Sequence, residues 1–492
     1  MKKHLLEIVV FLCGTVVMIF EIVGSRVVAP HFGTSIYVWT SLIGVILASL
    51  SLGYWFGGRL ADKNTSFKQL SLIIFGAGIF IIVSIFLKDH VLHFLSRSFS
   101  SMMMRSLLAA ILIFAPASIL LGMVSPYAIR LKLQTINTSG RIVGNLYAIS
   151  TLGSIIGTFL AGFLLIPLFG TTNILYMIAG LLVVIALVLQ IGFHGKGTFF
   201  LYMIVMLTAG YGAYEYNTGA KPYFETDTQY NHVQVFDMDY WINGKPIKVM
   251  KVNDEYSSAM YPDNDSLVYE YLQFYRLAEH FNPGFNKSLI LGGAAYSYPR
   301  YYLEQYPAAS IDVVEIDPGL TALARAHFRL EDNPRMRIFH EDARTFLNRK
   351  EEKYDVIFGD AYKSLLAIPF QLTTIEAVQK KFDILYEDGI VIENIIASTE
   401  GPASKFLKAE YMTFKEVFPQ VLLFACHDPD NAGQLQSISL VALKSDKSIN
   451  FTNADPVLNT YLQHKVDLII PAGTLILRDD YAPVEYFAMH AI

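Results

Sequence analysis

Residues Ser288 to Ile316 read SLILGGAAYSYPRYYLEQYPAASIDVVEI. The apolar run Ser288–Leu291 has strand character, Gly292 and Gly293 break it, a helix is predicted near 298–306, and a second apolar strand is predicted over 311–316. Strand, glycine turn, helix, strand is the opening unit of a ligand-binding α/β sheet. Glu315 falls at the tip of the second strand, about 20 residues past the glycines, where a carboxylate can hold a ribose diol. Asp360 ends a later apolar strand, YDVIFGD, at the same edge of the sheet.

Outward from this unit, strands and helices alternate. Further strands are predicted near 336–340, 354–359, 389–396, 420–426 and 436–443, with helices near 318–329, 373–386 and 403–417. Apolar strands alternating with helices give a mainly parallel, Rossmann-like sheet covered on both faces. We assign 281–492 to this α/β domain. Ahead of it, 217–280 read as a small β-subdomain followed by a helix: ETDTQYNHVQVFD and PIKVMKVND alternate apolar and polar residues, and SLVYEYLQFYRLAEHF follows.

The first 216 residues are of another kind. The chain is 53% hydrophobic and 16% charged, with mean hydropathy +0.39, and roughly seventeen of its 81 charged residues precede residue 200. About seven candidate membrane spans follow one another, near 5–25, 36–58, 69–88, 103–125, 145–168, 173–193 and 198–215, each approaching the roughly 20 residues a crossing needs. Glycine and alanine recur along GNLYAISTLGSIIGTFLAGFLL, which predicts close helix packing there. Lys2 and Lys3, then Arg59, Lys63 and Lys68, then Arg130, Lys132 and Arg141, then Lys196 place the N-terminus inside the cell. A multi-pass protein of the inner cell membrane is expected. An odd number of spans conflicts with the cytoplasmic catalytic domain that a nucleoside cosubstrate requires.

Composition excludes other classes. The net charge of −5 and the lack of a basic stripe argue against a nucleic-acid partner. Cys13 and Cys426 lie in different halves, so neither a structural disulfide nor a metal site is expected.

The carboxyl edge of the sheet collects Gly292, Gly293, Glu315, Asp317, Asp342 and Asp360. The glycines let the backbone turn and approach a ligand. Glu315 can accept from two ribose hydroxyls, and Asp342, in HEDARTF, can accept from an adenine amino group. No basic cluster awaits a pyrophosphate, and GGAAY lacks the third spaced glycine. Adenosine joined to a phosphate-free group fits better than NAD. Asp317, followed by Pro318, reads more simply as a helix cap.

The ordered set GG…VEIDP…EDAR…YDVIFGDAY resembles the spermidine synthase family, within the S-adenosylmethionine-dependent methyltransferase fold, over about 225–445. The apolar half resembles the transmembrane segments of membrane-fused members. The resemblance implies that Glu315 holds the ribose, Asp342 the adenine, and Asp360 orients and deprotonates an attacking amine. It also brings Asn231 of Tyr230-Asn231 and Tyr269 of Tyr269-Glu270-Tyr271 into the cosubstrate site, and it implies a homodimer. Tyr362 is expected to position the acceptor and Tyr296 to flank the sulfonium. The family's GGGDG loop is here Gly292-Gly293-Ala294-Ala295-Tyr296. Its DxxDP is Asp360-Ala361-Tyr362-Lys363-Ser364, with Lys363 where a second carboxylate would meet a dicationic diamine.

The function so implied is aminopropyl transfer from decarboxylated S-adenosylmethionine, a cosubstrate rather than a tightly bound cofactor, to a small amine acceptor at the lipid bilayer. Two alternatives are an S-adenosylmethionine-dependent methyltransferase or other sulfonium-cleaving enzyme, and a non-enzymatic transporter or sensor with an adenosyl-binding domain.

Overall fold

A computed structural model describes the chain except residues 1–3, 34, 100, 134–138, 195–198, 219–222, 240–243, 254, 362–367 and 490–492. It divides into two compact units, Met1–Pro222 and Tyr223–Ile492.

The first unit is helical: α1 (Leu5–Phe32), α2 (Ile36–Lys63), α3 (Phe67–Ser98), α4 (Met102–Lys132), α5 (Ser139–Leu160) running through a wide turn at Ala161–Leu165 into α6 (Ile166–Phe169), α7 (Thr171–His194) and α8 (Phe199–Thr218). Helix is the form such sequences must take in an apolar medium, because it pairs backbone groups internally. Among the described residues, six helical stretches, the fifth running from Ser139 to Phe169, are long and apolar enough to cross a membrane. The seventh expected span, 198–215, falls on α8 from residue 199 onward, and among the described residues there the apolar helical stretch is the shorter Met203–Gly212.

Close packing along the fifth apolar stretch comes from α5 lying on α1. The Thr15 hydroxyl donates to the Gly153 carbonyl at 3.0 Å, and a methyl added at Gly153 would strike the backbone of Phe11. Charges gather at one end of this unit: Lys132 bonds Glu7, Arg130 lies 3.4 Å from Asp62, and the Tyr127 hydroxyl donates to the carbonyl of Asn64 and the side chain of Gln69. The segment GYWFGGRLADK, residues 53–63, forms the C-terminal end of α2, where Arg59 lies over the Trp55 ring at 3.7 Å.

The second unit begins with an antiparallel meander, β1 (Phe224–Asp227), β2 (His232–Met238), β3 (Ile247–Val252) and β4 (Glu255–Met260). Short helices α9 (Glu270–Gln273) and α10 (Leu277–Phe281) follow. Then come β5 (Lys287–Leu291), α11 (Ser297–Gln305), β6 (Ser310–Val314), α12 (Pro318–His327), β7 (Met336–Phe339), α13 (Ala343–Arg349), β8 (Tyr354–Gly359), α14 (Ile375–Asp383), β9 (Leu385–Ala397), α15 (Lys405–Lys415), β10 (Gln420–Ala425), β11 (Gln436–Leu443), α16 (Pro456–Gln463), β12 (Lys465–Val466) and α17 (Val484–Met489).

These strands form one sheet in the order β12-β10-β11-β9-β8-β5-β6-β7. Five neighbours, β9 through β7, are parallel, and β11 returns antiparallel beside β9. From β5 the chain winds outward to β6 and β7, then crosses back to β8 and β9. The direction of winding thus reverses between β5 and β8, and a crevice opens there beyond the strand carboxyl ends. Alternate strand residues feed two apolar clusters. Leu289, Leu291, Ile357 and Val391 pack under α13, α14 and α15, while Ile290, Val313, Phe358 and Ile392 pack with Tyr275, Tyr298 and Tyr302 on the other face.

Candidate active site

Strand register builds the site. Phe339, Val314, Leu291, Gly359 and Glu393 lie side by side across five parallel strands. The residues one step beyond are His340, Glu315, Gly292, Asp360 and Asn394, so residues distant in sequence emerge along one edge. The ladder carries one bond further: Gly292 N donates to Val314 O at 2.9 Å, Glu315 N to Phe339 O at 3.0 Å, and Asp360 N to Leu291 O at 2.8 Å.

Gly292 has φ +102°, and a Cβ there would collide with the Asp360 carbonyl. Only glycine permits both the turn and the approach of the β8 end. The Glu315 carboxylate then ties the loop down. Its Oε2 accepts from Gly293 N at 2.9 Å and Ala294 N at 3.0 Å, and its Oε1 accepts from Asp317 N at 2.9 Å. Three of the carboxylate's roughly four lone-pair sites are thus taken, and the remaining acceptor capacity lies on Oε1.

Gly292, Gly293, Glu315, Asp342, Asp360 and Asn394 all line one cavity of about 280 Å³. Asp342 caps α13, its Oδ1 accepting from Thr345 N at 3.0 Å, and it lines the cavity as well. Asp360 accepts from the Tyr271 hydroxyl at 3.1 Å and from Asn394 Nδ2 at 3.4 Å. Burial lifts its carboxyl to about 6. The Asn394 and Tyr271 hydrogen bonds pull it back, and the neighbouring charge of Glu393 pushes it up.

The remaining sequence-predicted residues fall in different places. Tyr296 does not line the cavity. It sits in the left-handed region at φ 58° and ψ 29°, which turns the ring inward; it is fully buried, with its hydroxyl 2.6 Å from Thr321 Oγ1. It supports the glycine loop from beneath and cannot flank a sulfonium. Asn231 lines the cavity wall, and one hydrogen of its amide nitrogen goes to Asp317 Oδ2 at 2.8 Å. Asp317 also accepts from Thr228 and caps α12 through Gly319 N at 2.9 Å, so it ties the meander to the large sheet. Tyr269 stacks on Tyr271 with ring centroids 6.2 Å apart and lines an adjoining groove with Glu270 and His427, rather than the cavity that holds Glu315. Tyr362 and Lys363 lie outside the described residues.

Sequence reasoning missed Tyr271 and Asn394, the two residues that orient Asp360. The signal for Asn394 was present: Glu393-Asn394 interrupts an otherwise apolar strand, IVIENIIA, and polar residues in a buried strand need partners. For Tyr271 the choice lay between two tyrosines, and the backbone decided it. Tyr269 precedes α9 with extended backbone, whereas Tyr271 stands on its first turn, facing Asp360.

The chain is similar in sequence to known proteins. Residues 273–452 match the family model described as spermine/spermidine synthase domain. The chain is 28% identical over 183 residues to the polyamine aminopropyltransferase of Vibrio vulnificus, covering 37% of this chain and 58% of that protein. It is 22% identical over 420 residues to polyamine aminopropyltransferase 1 of Streptomyces coelicolor, covering 79% of this chain and 75% of that one. A crystal structure of a probable spermidine synthase from Corynebacterium glutamicum superposes with TM-score 0.44 and 20% identity, over 53% of this chain and 97% of that one. The chain spans about half the length of several curated relatives that it matches, 50–58% in three of them. The similarity to the spermine/spermidine synthase domain thus falls within the C-terminal unit of this chain.

Proposed function

We propose that this protein transfers an aminopropyl group from decarboxylated S-adenosylmethionine to an amine acceptor. The observation that carries the reading is Asp360: a carboxylate at the switch point, held by Tyr271 and Asn394, on the same cavity as Glu315 and Asp342. Glu315 takes the ribose hydroxyls and Asp342 the adenine amino group. The positive sulfur makes the adjacent propyl carbon electrophilic, and methylthioadenosine departs as a neutral thioether without acid assistance.

The acceptor presents the difficulty. A free alkyl ammonium has a pKa of about 10.4 and no lone pair to attack with. Asp360, poised near 6, accepts its proton while the buried setting disfavours the charged amine. The C–N bond forms as the C–S bond breaks, and the proton resides on Asp360 before release to solvent.

The six long apolar helices support an anchor in the inner cell membrane. Six crossings from a cytoplasmic N-terminus return the chain to the cytoplasm, where the nucleoside cosubstrate is made, if α8 lies along the interface rather than across.

One assay tests the activity: purified full-length protein with each sulfonium and a panel of amines, and identification of the nucleoside formed. Methylthioadenosine with an extended amine is expected. S-adenosylhomocysteine would replace the reading with methyl transfer, and binding without product would leave a sensor.

A further inference from the structure

The apolar core beneath the site contains three ionisable side chains with no part in the mechanism above. Lys381 of α14, Glu393 of β9 and Glu410 of α15 are all but fully buried, at 1%, 3% and 0% exposure. Lys381 Nζ donates to Glu393 Oε1 at 2.7 Å and to the carbonyl of Leu372 at 3.1 Å, and lies 5.4 Å from the Phe414 ring centroid. Neither oxygen of Glu410 has a hydrogen-bond partner among the described residues. Burial holds its carboxyl well above the ordinary range. The charge of Lys381 lowers it and that of Glu393 raises it further. Charges are buried at such cost only where each one has a counterpart, and removing a single member is strongly destabilising.

Their position ties this cluster to Asp360. Glu393 is the register partner of Gly359, the residue before Asp360. A Cβ on Gly359 would overlap the Glu393 carboxylate, so the carboxylate lies flat against the strand end that carries Asp360. Asn394, next along β9, emerges on the opposite face and donates to Asp360. Leu372, held by Lys381, belongs to the cavity lip with Pro369 and Gln371. One buried ion pair therefore spans the lip, the base's strand end and the strand that orients the base.

The geometry points to Lys381 and Glu393 as positioning residues, which fix the cavity lip to the end of β8 and set the charge that Asp360 feels from below. This rests on the reading of Asp360 as the base. Among the described residues, the other polar groups facing Asp360 are the hydroxyls of Tyr271 and Tyr275 and the amide of Asn394; Glu410 faces Lys381 and Glu393 from α15. Glu393 disfavours a second negative charge at Asp360, and Lys381 moderates Glu393.

Infrared pH titration of the full-length protein tests this without turnover. The protonated-carboxyl band lost in Asp360→Asn identifies Asp360. Its midpoint should fall by half a pH unit or more, roughly threefold in proton affinity, in Glu393→Gln, and rise in Lys381→Met. Midpoints unmoved in both variants overturn the inference. Should either single variant fail to fold, Lys381→Met/Glu393→Gln removes both charges together. Amide hydrogen exchange at 370–373 should then quicken at least tenfold, and unchanged exchange there overturns the inference. Shifted midpoints in a protein that makes no methylthioadenosine overturn the proposed function and leave the cluster's effect standing.

Discussion

Asp360 concentrates the chemistry on one carboxylate. Asp360→Asn should lower transfer by at least about 10²-fold, the share a general base supplies, and leave affinity for methylthioadenosine within about twofold. Calorimetry and product analysis check both; undiminished turnover removes Asp360 from the mechanism. Because the base must be ionised, kcat/KM should fall as pH drops through about 6. Tyr271→Phe deletes a hydrogen bond that favours the ionised form, so its acid limb should move upward. Gly292→Ala combines an unfavourable φ with a clash against Asp360, and should abolish nucleoside binding or expression of folded protein. Asp360 and Glu315 were legible in the sequence because each ends an apolar strand run. Tyr296 was misread because a left-handed residue reverses the direction of its side chain, and no local pattern announces that.

At the scale of elements, the meander carries its own electrostatic device. His232 of β2 lies 2.6 Å from Asp227 and 2.9 Å from Glu225 on β1. Burial of the ring opposes protonation, but the two carboxylates outweigh it and raise the imidazole to about 9. A folded-state value above the unfolded 6.5 means that this stabilisation is fully present below about 6.5 and is lost as pH rises through about 9. Hydrogen exchange across β1 and β2 should therefore quicken between those limits, on the order of 1–3 kcal/mol in opening energy, and His232→Gln should flatten the dependence. Asp317 works between elements, capping α12 while accepting from Thr228 and Asn231. Asp317→Ala should cost about 1–2 kcal/mol or more, read as a lower Tm, with loosening of the meander. The helix-cap assignment of Asp317 follows from Asp-Pro; its hold on Thr228 and Asn231, some 86 or more residues away, required the fold.

At the scale of the whole molecule, the chain divides into two compact units after residue 222. Residues 223–492 expressed alone should fold and bind methylthioadenosine as the full chain does, measured by calorimetry; an unfolded fragment would show that the helices complete the catalytic unit. Reporter fusions at the C-terminus check the proposed cytoplasmic placement, since an active periplasmic reporter there would reverse it. The alternation of long apolar runs with basic turns made the helical half plain from composition. The number of crossings was not, because α8 is apolar only in part, and a short apolar run does not reveal whether it spans or lies flat.

Local pattern alone determined the parallel sheet, its glycine turn and the acids at its strand ends, because hydrophobic periodicity and glycine placement act over a few residues. Tertiary structure decided which side chains face one another. The register of β8 with β9 set Asn394 beside Asp360 and Glu393 beneath it, and the turn into α9 chose Tyr271 over Tyr269. Such pairings join residues 34 to 89 positions apart through strand order and alternation of faces, which no local periodicity encodes.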